Sequence, residues 1–182
     1  PIALAFMLSY PLLGLWQNHR ASTFALSQLA AQNITPERLR ASPSIGNNVL
    51  WRIQYQHQGR IYAAGVYQPW WGAPKWYAGE SLLVWQPQHT PLAANSPQAQ
   101  DLAIFTHFAD GWLVQIPNHP NRVGDARYSI LPNLMQPMWQ IELKPQQAQQ
   151  HADFVRQERG QGKPLPWGTF FNMLQGKPIA EE

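Results

Sequence analysis

The stretch that most constrains the fold is residues 49–67, VLWRIQYQHQGRIYAAGVY. Its first half alternates, so one set of side chains faces each side of a strand: Val49, Trp51, Ile53 and Tyr55 on one side, and Leu50, Arg52, Gln54 and Gln56 on the other. Gln58-Gly59 stands where a two-residue hairpin turn belongs, and an apolar run resumes after it. The stretch therefore predicts an antiparallel hairpin whose first strand is half buried, with an arginine facing away from the core side.

Four further segments have the composition of short strands and follow at hairpin spacing: ESLLVWQ, WLVQI, RVGDARYSI and MWQIELK. Helices are predicted at the ends of this region. Ser96-Pro97 provides an N-cap and a first-turn proline for a helix through Phe105, and KPQQAQQHADFVRQERG and WGTFFNML are the other helical segments. The pattern predicts an α+β domain over residues 33–182, with one antiparallel sheet of about five strands and short helices at the ends.

Residues 1–32 are predicted to form a long apolar N-terminal helix. Residues 1–16, PIALAFMLSYPLLGLW, contain no charged side chain but are fewer than the roughly 20 that cross a bilayer. We expect them to be the end of a truncated transmembrane helix of a longer protein; the alternative is a hydrophobic helix packed on its own domain. Residues 20–32 continue as an amphipathic extension, with an apolar stripe of Ala21, Phe24, Ala25 and Leu29.

Composition and charge argue against several function classes. With 9 Trp and 45% hydrophobic residues, the chain belongs with folded proteins. The net charge is +3 without any run of Lys and Arg, so no nucleic-acid partner is expected. The absence of Cys excludes disulfides and thiolate ligands. The six His are scattered, and no set of His, Asp and Glu has ligand spacing, so we expect no metal or other cofactor in this chain and no complete active site.

Asp125 and Arg127 form the most unusual charge group in a chain with only 13% charged residues. If RVGDARYSI is one strand, both side chains share a face, and Arg52 is the obvious third member. Two interpretations remain open. In the first, the cluster is a structural brace in which two guanidiniums hold one carboxylate by bidentate hydrogen bonds. In the second, Arg52 or Arg127 keeps a donor free for an anionic ligand such as a phosphate or a carboxylate.

A second candidate site is the aromatic, proline-rich loop PWWGAPKWY, residues 69–77. Trp70, Trp71, Trp76 and Tyr77 could stack on sugar faces or rest at a membrane interface. The alternative is ordinary packing in the core and the loop, which we expect for at least two of the four.

Several of these segments together resemble a known family. In the C-terminal part of the YdjM-like, membrane-bound, metal-dependent hydrolases of bacteria, a Pro-x-x-x-Asn loop precedes an LWR strand, and an Asp-x-Arg-Tyr strand follows a DGW turn. The matching positions in this sequence are Pro43, Asn47, Leu50, Trp51, Arg52, Asp110, Gly111, Trp112, Asp125, Arg127 and Tyr128. The resemblance spans most of residues 1–145.

The resemblance implies a bacterial inner-membrane protein whose N-terminal membrane helices hold a divalent metal on His and Asp residues, as in phospholipase-C-like enzymes. By this resemblance the chain is the extramembrane C-terminal domain of such a hydrolase and lacks the metal site. Its partners would be the lipid bilayer and its own N-terminal membrane domain. Arg20 beyond the apolar helix indicates the cytoplasmic side. The alternative function is a non-enzymatic, membrane-associated module that binds a ligand through the tryptophan-rich loop.

Overall fold

The computed structural model describes residues 2–147, 149–156 and 166–179. Their helices and strands follow in this order: α1 (Ile2–Ala31), β1 (Arg38–Pro43), β2 (Leu50–His57), β3 (Arg60–Tyr67), β4 (Lys75–Tyr77), β5 (Ser81–Leu83), α2 (Pro97–Phe108), β6 (Leu113–Ile116), β7 (His119–Asp125), β8 (Trp139–Glu142), β9 (Asp153–Arg156) and α3 (Trp167–Leu174). All strand pairs are antiparallel. The predicted α+β class is therefore confirmed.

The strands form two sheets where the sequence predicted one. The first sheet has the order β1-β2-β3, and β4 and β5 both pair with the outer edge of β3. The second sheet has the order β6-β7-β8-β9, and an isolated bridge between Val84 and Val114 connects the two. The spacing of hairpins in the sequence shows which strands follow one another, but it does not show where one sheet ends and the next begins. Here α2 lies between β5, in the first sheet, and β6, in the second.

The predicted hairpin is confirmed as β2 and β3. Gln58 and Gly59 have φ of 48° and 72°, the left-handed conformations of the type I′ turn that suits the twist of a hairpin. The sequence predicted one buried face for β2, but both of its faces are buried. Trp51 and its alternate neighbours pack against α1, while Arg52 faces the segment that follows β7.

Helix α1 packs on the first sheet through its C-terminal half. Ala21, Ala25 and Leu29 are fully buried in the core that contains Trp51, and Phe24 packs beside them, so the predicted stripe is confirmed. The helix ends where the chain turns back, and Asn33 adopts a left-handed φ of 59°.

The second sheet contains one confirmed and one wrong prediction. Ser96 caps α2 by accepting a hydrogen bond from the backbone N–H of Ala99, as predicted, and the helix continues to Phe108. The segment KPQQAQQHADFVRQERG was predicted to be helical, but it contains β9, which pairs with β8; its residues 148 and 157–160 lie outside the described residues. Pairing with β8 and packing of Phe154 on Trp139, with ring centroids 5.9 Å apart, outweigh local helix propensity. WGTFFNML forms α3, as predicted.

Candidate functional site

Arg52 lies between the first sheet and the segment after β7, where it is only 5% exposed. Its side chain donates hydrogen bonds to four backbone carbonyl oxygens, which belong to Ala126 (3.0 Å, from Nη2) and to Leu131 (3.2 Å), Pro132 (2.7 Å) and Leu134 (2.8 Å), all from Nη1. The neighbouring Gln54 amide also donates to the Ala126 carbonyl. The two side chains therefore fasten the segment after β7 to the face of the first sheet.

Burial acts against the charged form of Arg52 and lowers its pKa to about 10, although the nearby carboxylates of Asp125 and Glu80 raise it in part. The guanidinium therefore keeps its charge at neutral pH. Its Nη atoms are engaged by backbone oxygens, and its Nε atom is buried without a partner among the described residues. This geometry favours a brace over a site that offers donors to a soluble ligand.

The prediction that RVGDARYSI forms one strand is wrong beyond Asp125. Strand β7 ends at that residue, and Ala126 and Arg127 form a turn. The Asp125 Oδ1 atom accepts a hydrogen bond from the backbone N–H of Arg127 (2.9 Å), which is the local turn that Asp side chains favour. A spacing of two residues fits both a strand face and such a turn, so the sequence pattern could not separate them.

Asp125 and Arg127 form a bidentate ion pair. The Arg127 Nε atom lies 3.0 Å from Oδ1 and its Nη2 atom 2.8 Å from Oδ2; the carboxylate is fully buried and the Arg127 side chain is 10% exposed. These hydrogen bonds raise the pKa of Arg127. Arg127 also donates to the Phe108 carbonyl oxygen, and its guanidinium lies 5.2 Å from the rings of Phe108 and Tyr128.

The three predicted cluster residues are neighbours but do not form one ion network within the described residues. Asp125 pairs with Arg127, whereas Arg52 bonds to the carbonyl of Ala126, the residue between them. We expected one carboxylate held between two guanidiniums. The structure instead has an ion pair between Asp125 and Arg127, and the Arg52 guanidinium beside it bonds to backbone carbonyl groups.

The other residues of the family-like motif build turns and core. Asn47 accepts hydrogen bonds from the backbone N–H groups of Val49 (3.0 Å) and Leu50 (2.7 Å), which shapes the loop after Pro43. Leu50 and Trp51 are buried on opposite faces of the first sheet. Asp110 and Gly111 have φ of 51° and 68°, Trp112 is buried, and Tyr128 is 43% exposed.

The four aromatic residues of the tryptophan-rich loop divide into two groups. Trp76 and Tyr77 belong to β4; Trp76 packs against the core shared with α1, and the Tyr77 hydroxyl donates to the Lys177 carbonyl oxygen at 2.9 Å. Trp70 is half-buried and stacks on Trp16 of α1, with ring centroids 6.2 Å apart. Trp71 is 88% exposed.

Polar side chains of α1 join the helix to two loops. Gln17 is fully buried and donates to the carbonyl oxygens of Asn48 (3.1 Å) and Gln68 (3.0 Å). Arg20 donates to the Pro69 carbonyl oxygen (3.1 Å), and its guanidinium lies 4.6 Å from the ring of Trp16. Loop 44–49 and loop 68–72 therefore meet α1 at the same level.

Near this level α1 and both loops carry a set of exposed apolar side chains. We call it the apolar end and define it by Leu12, Leu13, Leu15, Trp16, Ile45 and Trp71, all of which are exposed. Sequence reasoning missed Ile45 and the pairing of Trp16 with the loop. The pairing of Trp16 with the loop could have been predicted from the spacing of Trp16 and Arg20, which are four residues apart on one helix face.

The described part of the chain bears on both the predicted membrane helix and the predicted metal. None of its helices has both the length and the apolar composition needed to cross a bilayer. No group of three or more His, Cys, Asp or Glu side chains there is arranged to hold a metal ion.

We expect the purified, untagged chain to bind no catalytic metal, because its sequence has no Cys and no set of His, Asp and Glu at ligand spacing. Elemental analysis after exhaustive dialysis tests this expectation. A stoichiometric transition metal that survives dialysis would contradict it.

The LWR and Asp-x-Arg-Tyr parts of the family-like motif meet in space, because Arg52 bonds to the carbonyl between Asp125 and Arg127. Comparison with known proteins identifies no relative: no protein-family model matches the chain, and searches of curated proteins and of solved structures give no significant match. The resemblance to YdjM-like hydrolases therefore remains a prediction from the residues quoted for it.

Proposed function

We propose that this chain is the extramembrane domain of a membrane-attached protein and that the apolar end rests in the lipid surface. The observation that carries the proposal is the exposure of large apolar side chains on α1 and both adjoining loops: Leu12 65%, Leu15 67%, Ile45 76% and Trp71 88%. An apolar surface of this kind, shared by three segments, is typical of an interaction site and differs from scattered single exposed residues.

The arrangement of the apolar end favours lipid over a protein groove. Successive helical residues are about 100° apart, so Leu12 and Leu15 lie on one side of α1, about 60° from each other, and Leu13 lies about 100° beyond Leu12. The three side chains together extend over about 160° of the helix circumference. A groove in a partner protein covers one face of a helix, whereas lipid surrounds it. Trp16 and Trp71 supply the amphipathic rings that are enriched at membrane interfaces, and Arg20 follows one turn after Trp16 on the domain side.

Residues 2–16 are the part of α1 that the proposal places in the bilayer. Residues 2–16 extend over about 22 Å at ~1.5 Å per residue, which is less than the ~30 Å of a hydrocarbon core. In the proposal these residues reach into the bilayer, and the domain begins at Gln17, whose buried side chain bonds to both loops.

The motif resemblance extends this proposal to a bacterial inner-membrane, metal-dependent hydrolase. In that extension the metal and its chemistry belong to a separate membrane half, and this chain is a rigid cap attached to it. The contact between the two parts of the motif, from Arg52 to the Ala126 carbonyl, supports a structural role for them. Arg20 at the helix exit favours the cytoplasmic side.

We expect Ile45→Ser to weaken binding to phosphatidylcholine vesicles about tenfold, because a buried isoleucine contributes roughly 1.5–3 kcal/mol. Ile104→Ser is the matched control, since Ile104 is 69% exposed on α2 and lies outside the apolar end. Vesicle co-sedimentation measures both variants. Deleting residues 1–16 should abolish binding while the melting temperature changes little, because none of residues 9–16 is buried and Gln17 is the first buried residue after them.

Two results would contradict the proposal. One is equal vesicle binding by the Ile45→Ser and Ile104→Ser variants. The other is a concentration-dependent dimer, detected by analytical ultracentrifugation and lost in Ile45→Ser, in a chain that does not bind vesicles; the apolar end would then join two copies of the protein.

A further inference from the structure

A cleft of about 410 Å³ lies where α1, β1 and the turn after α2 meet. Its polar walls include Asn18, Ser22, Arg38, Arg40 and Asp110, with Trp112 at one side. Arg38 and Arg40 are two residues apart in β1, so they share a strand face, and about a third of each side chain is exposed. The lining thus carries two positive charges and one negative charge.

Arg38 is held in place before any ligand arrives. Its guanidinium lies 4.0 Å from the ring of Trp112, and its Nη2 atom donates to the backbone carbonyl oxygen of Asp110 at 2.9 Å. Stacking and a carbonyl acceptor restrict the rotamers of the side chain, so little conformational entropy is left to lose on binding.

Arg40 has a hydrogen-bonding capacity that the fold does not use. Its Nε atom is buried and has no hydrogen-bond partner among the described residues. The nearest carboxylate oxygen, Asp110 Oδ2, lies 3.9 Å from Arg40 Nη1 and 3.7 Å from Arg38 Nη2, both beyond hydrogen-bond length. A buried donor without an acceptor is costly, and such a donor in a native fold requires an explanation.

We propose that this cleft binds a phosphate-monoester group between Arg38 and Arg40. Two guanidiniums balance the charge of the dianion, and planar guanidinium donors match phosphate oxygens in bidentate geometry. The unused Nε of Arg40 and the Nη2 on the same edge of its guanidinium form such a donor pair. Asn18 and Ser22 line the α1 side of the cleft. Asp110 partly neutralises the arginines and competes with the ligand.

The phosphate can come from two sources. Asn18 lies two residues, about 3 Å along the helix, beyond Trp16 of the apolar end, so a lipid headgroup at the membrane surface can reach the cleft. A small soluble phosphate monoester can reach it from solution. Both carry the same group, and the cleft binds it whether or not the apolar end contacts lipid.

Titration calorimetry with inorganic phosphate at constant ionic strength tests the cleft without any membrane. The wild-type chain should bind phosphate saturably, and Arg40→Gln should weaken binding by about tenfold or more, since a hydrogen bond to a charged group is lost. Arg122→Gln is the matched control, because it removes one positive charge from an ion pair with Glu142 (3.0 Å) outside the cleft. Its phosphate affinity should equal that of the wild type.

Asp110→Asn should change the affinity in the opposite direction and tighten phosphate binding about two- to fivefold, as expected for a partly exposed charge. Asn tolerates the left-handed φ of 51° at this position, so the turn is kept. The absence of saturable binding to the wild type, or equal affinities for Arg40→Gln and Arg122→Gln, would overturn the proposal.

Soluble short-chain lipids then separate the two sources. If dioctanoyl phosphatidic acid binds more tightly than inorganic phosphate and dioctanoyl phosphatidylcholine does not bind, the result supports the proposal with a lipid headgroup as the ligand. Equal affinities of phosphatidic acid and inorganic phosphate support it with a soluble phosphate monoester. These measurements use no vesicles, so a lack of phosphate binding by the cleft is distinct from a lack of vesicle binding by the apolar end.

Discussion

Asp125→Ala should lower the free energy of unfolding by about 3–5 kcal/mol, as is typical when one partner of a buried ion pair is removed. The carboxylate is fully buried, and its loss leaves the largely buried Arg127 guanidinium without a counter-charge and opens the turn after β7. Urea unfolding at pH 7 measures the change. Glu142→Ala is the control, since it breaks the more exposed ion pair with Arg122 and should cost no more than about 1 kcal/mol.

Asp125→Asn separates charge from turn geometry. Asparagine keeps an oxygen that can accept from the Arg127 backbone N–H but loses the charge, so its effect should fall between those of the wild type and Asp125→Ala. If the Asp125→Ala chain were as stable as its parent and neither responded to anions, both the brace and the ligand interpretation of this cluster would fail.

Phosphate further distinguishes the two interpretations, because a ligand raises the melting temperature by mass action. Stabilisation that disappears in Arg40→Gln belongs to the cleft beside β1. If phosphate still raises the melting temperature of Arg40→Gln but not that of Asp125→Ala, the anion site belongs to the Asp125 cluster. That result would contradict the brace interpretation.

Arg52→Met should lower the free energy of unfolding by about 2–4 kcal/mol. Methionine retains much of the side-chain length but donates no hydrogen bond, so four backbone carbonyl oxygens lose their Arg52 donor, at roughly 1–3 kcal/mol for each that stays buried and unsatisfied. Part of this loss is offset because the cation no longer has to be desolvated.

The matched control for Arg52 is Arg122→Met, which removes an arginine from a partly exposed ion pair and should cost no more than about 1 kcal/mol. Arg52→Lys should be intermediate, because one ammonium group keeps the charge but cannot span all four carbonyls. A loss below 1 kcal/mol for Arg52→Met, measured by the same urea unfolding, would show that Arg52 does not brace the segment after β7.

Local sequence was sufficient where a few neighbouring residues decide the conformation. Gln58-Gly59 predicts the hairpin because a two-residue turn needs left-handed backbone conformations. Ser96-Pro97 predicts the start of α2 because the serine oxygen caps the first free N–H groups and proline needs none. The stripe of Ala21, Ala25 and Leu29 predicts the packed face of α1 from helical spacing alone.

The errors arise where distant partners decide. The glutamine-rich segment before β9 has the composition of a helix, yet its pairing with β8 makes part of it a strand. Asp125 and Arg127 have the spacing of a strand face, yet the strand stops at Asp125 and the side chain closes a turn. In both cases the sequence pattern fits two conformations of similar local energy, and long-range contacts select one.

The residue order alone determined the α+β class, the alternation that places Trp51 and Arg52 on opposite faces of β2, and the absence of a cysteine site. Only the tertiary structure buried both of those faces, since a second layer covers Arg52. The tertiary structure alone also stacked Trp16 on Trp70, joined Gln17 to the loop that contains Asn48, and placed Arg40 beside Asp110. Local propensity acts over a few residues, whereas these sites depend on contacts between segments 30 to 80 residues apart, such as Gln17 with Asn48 and Arg52 with Pro132.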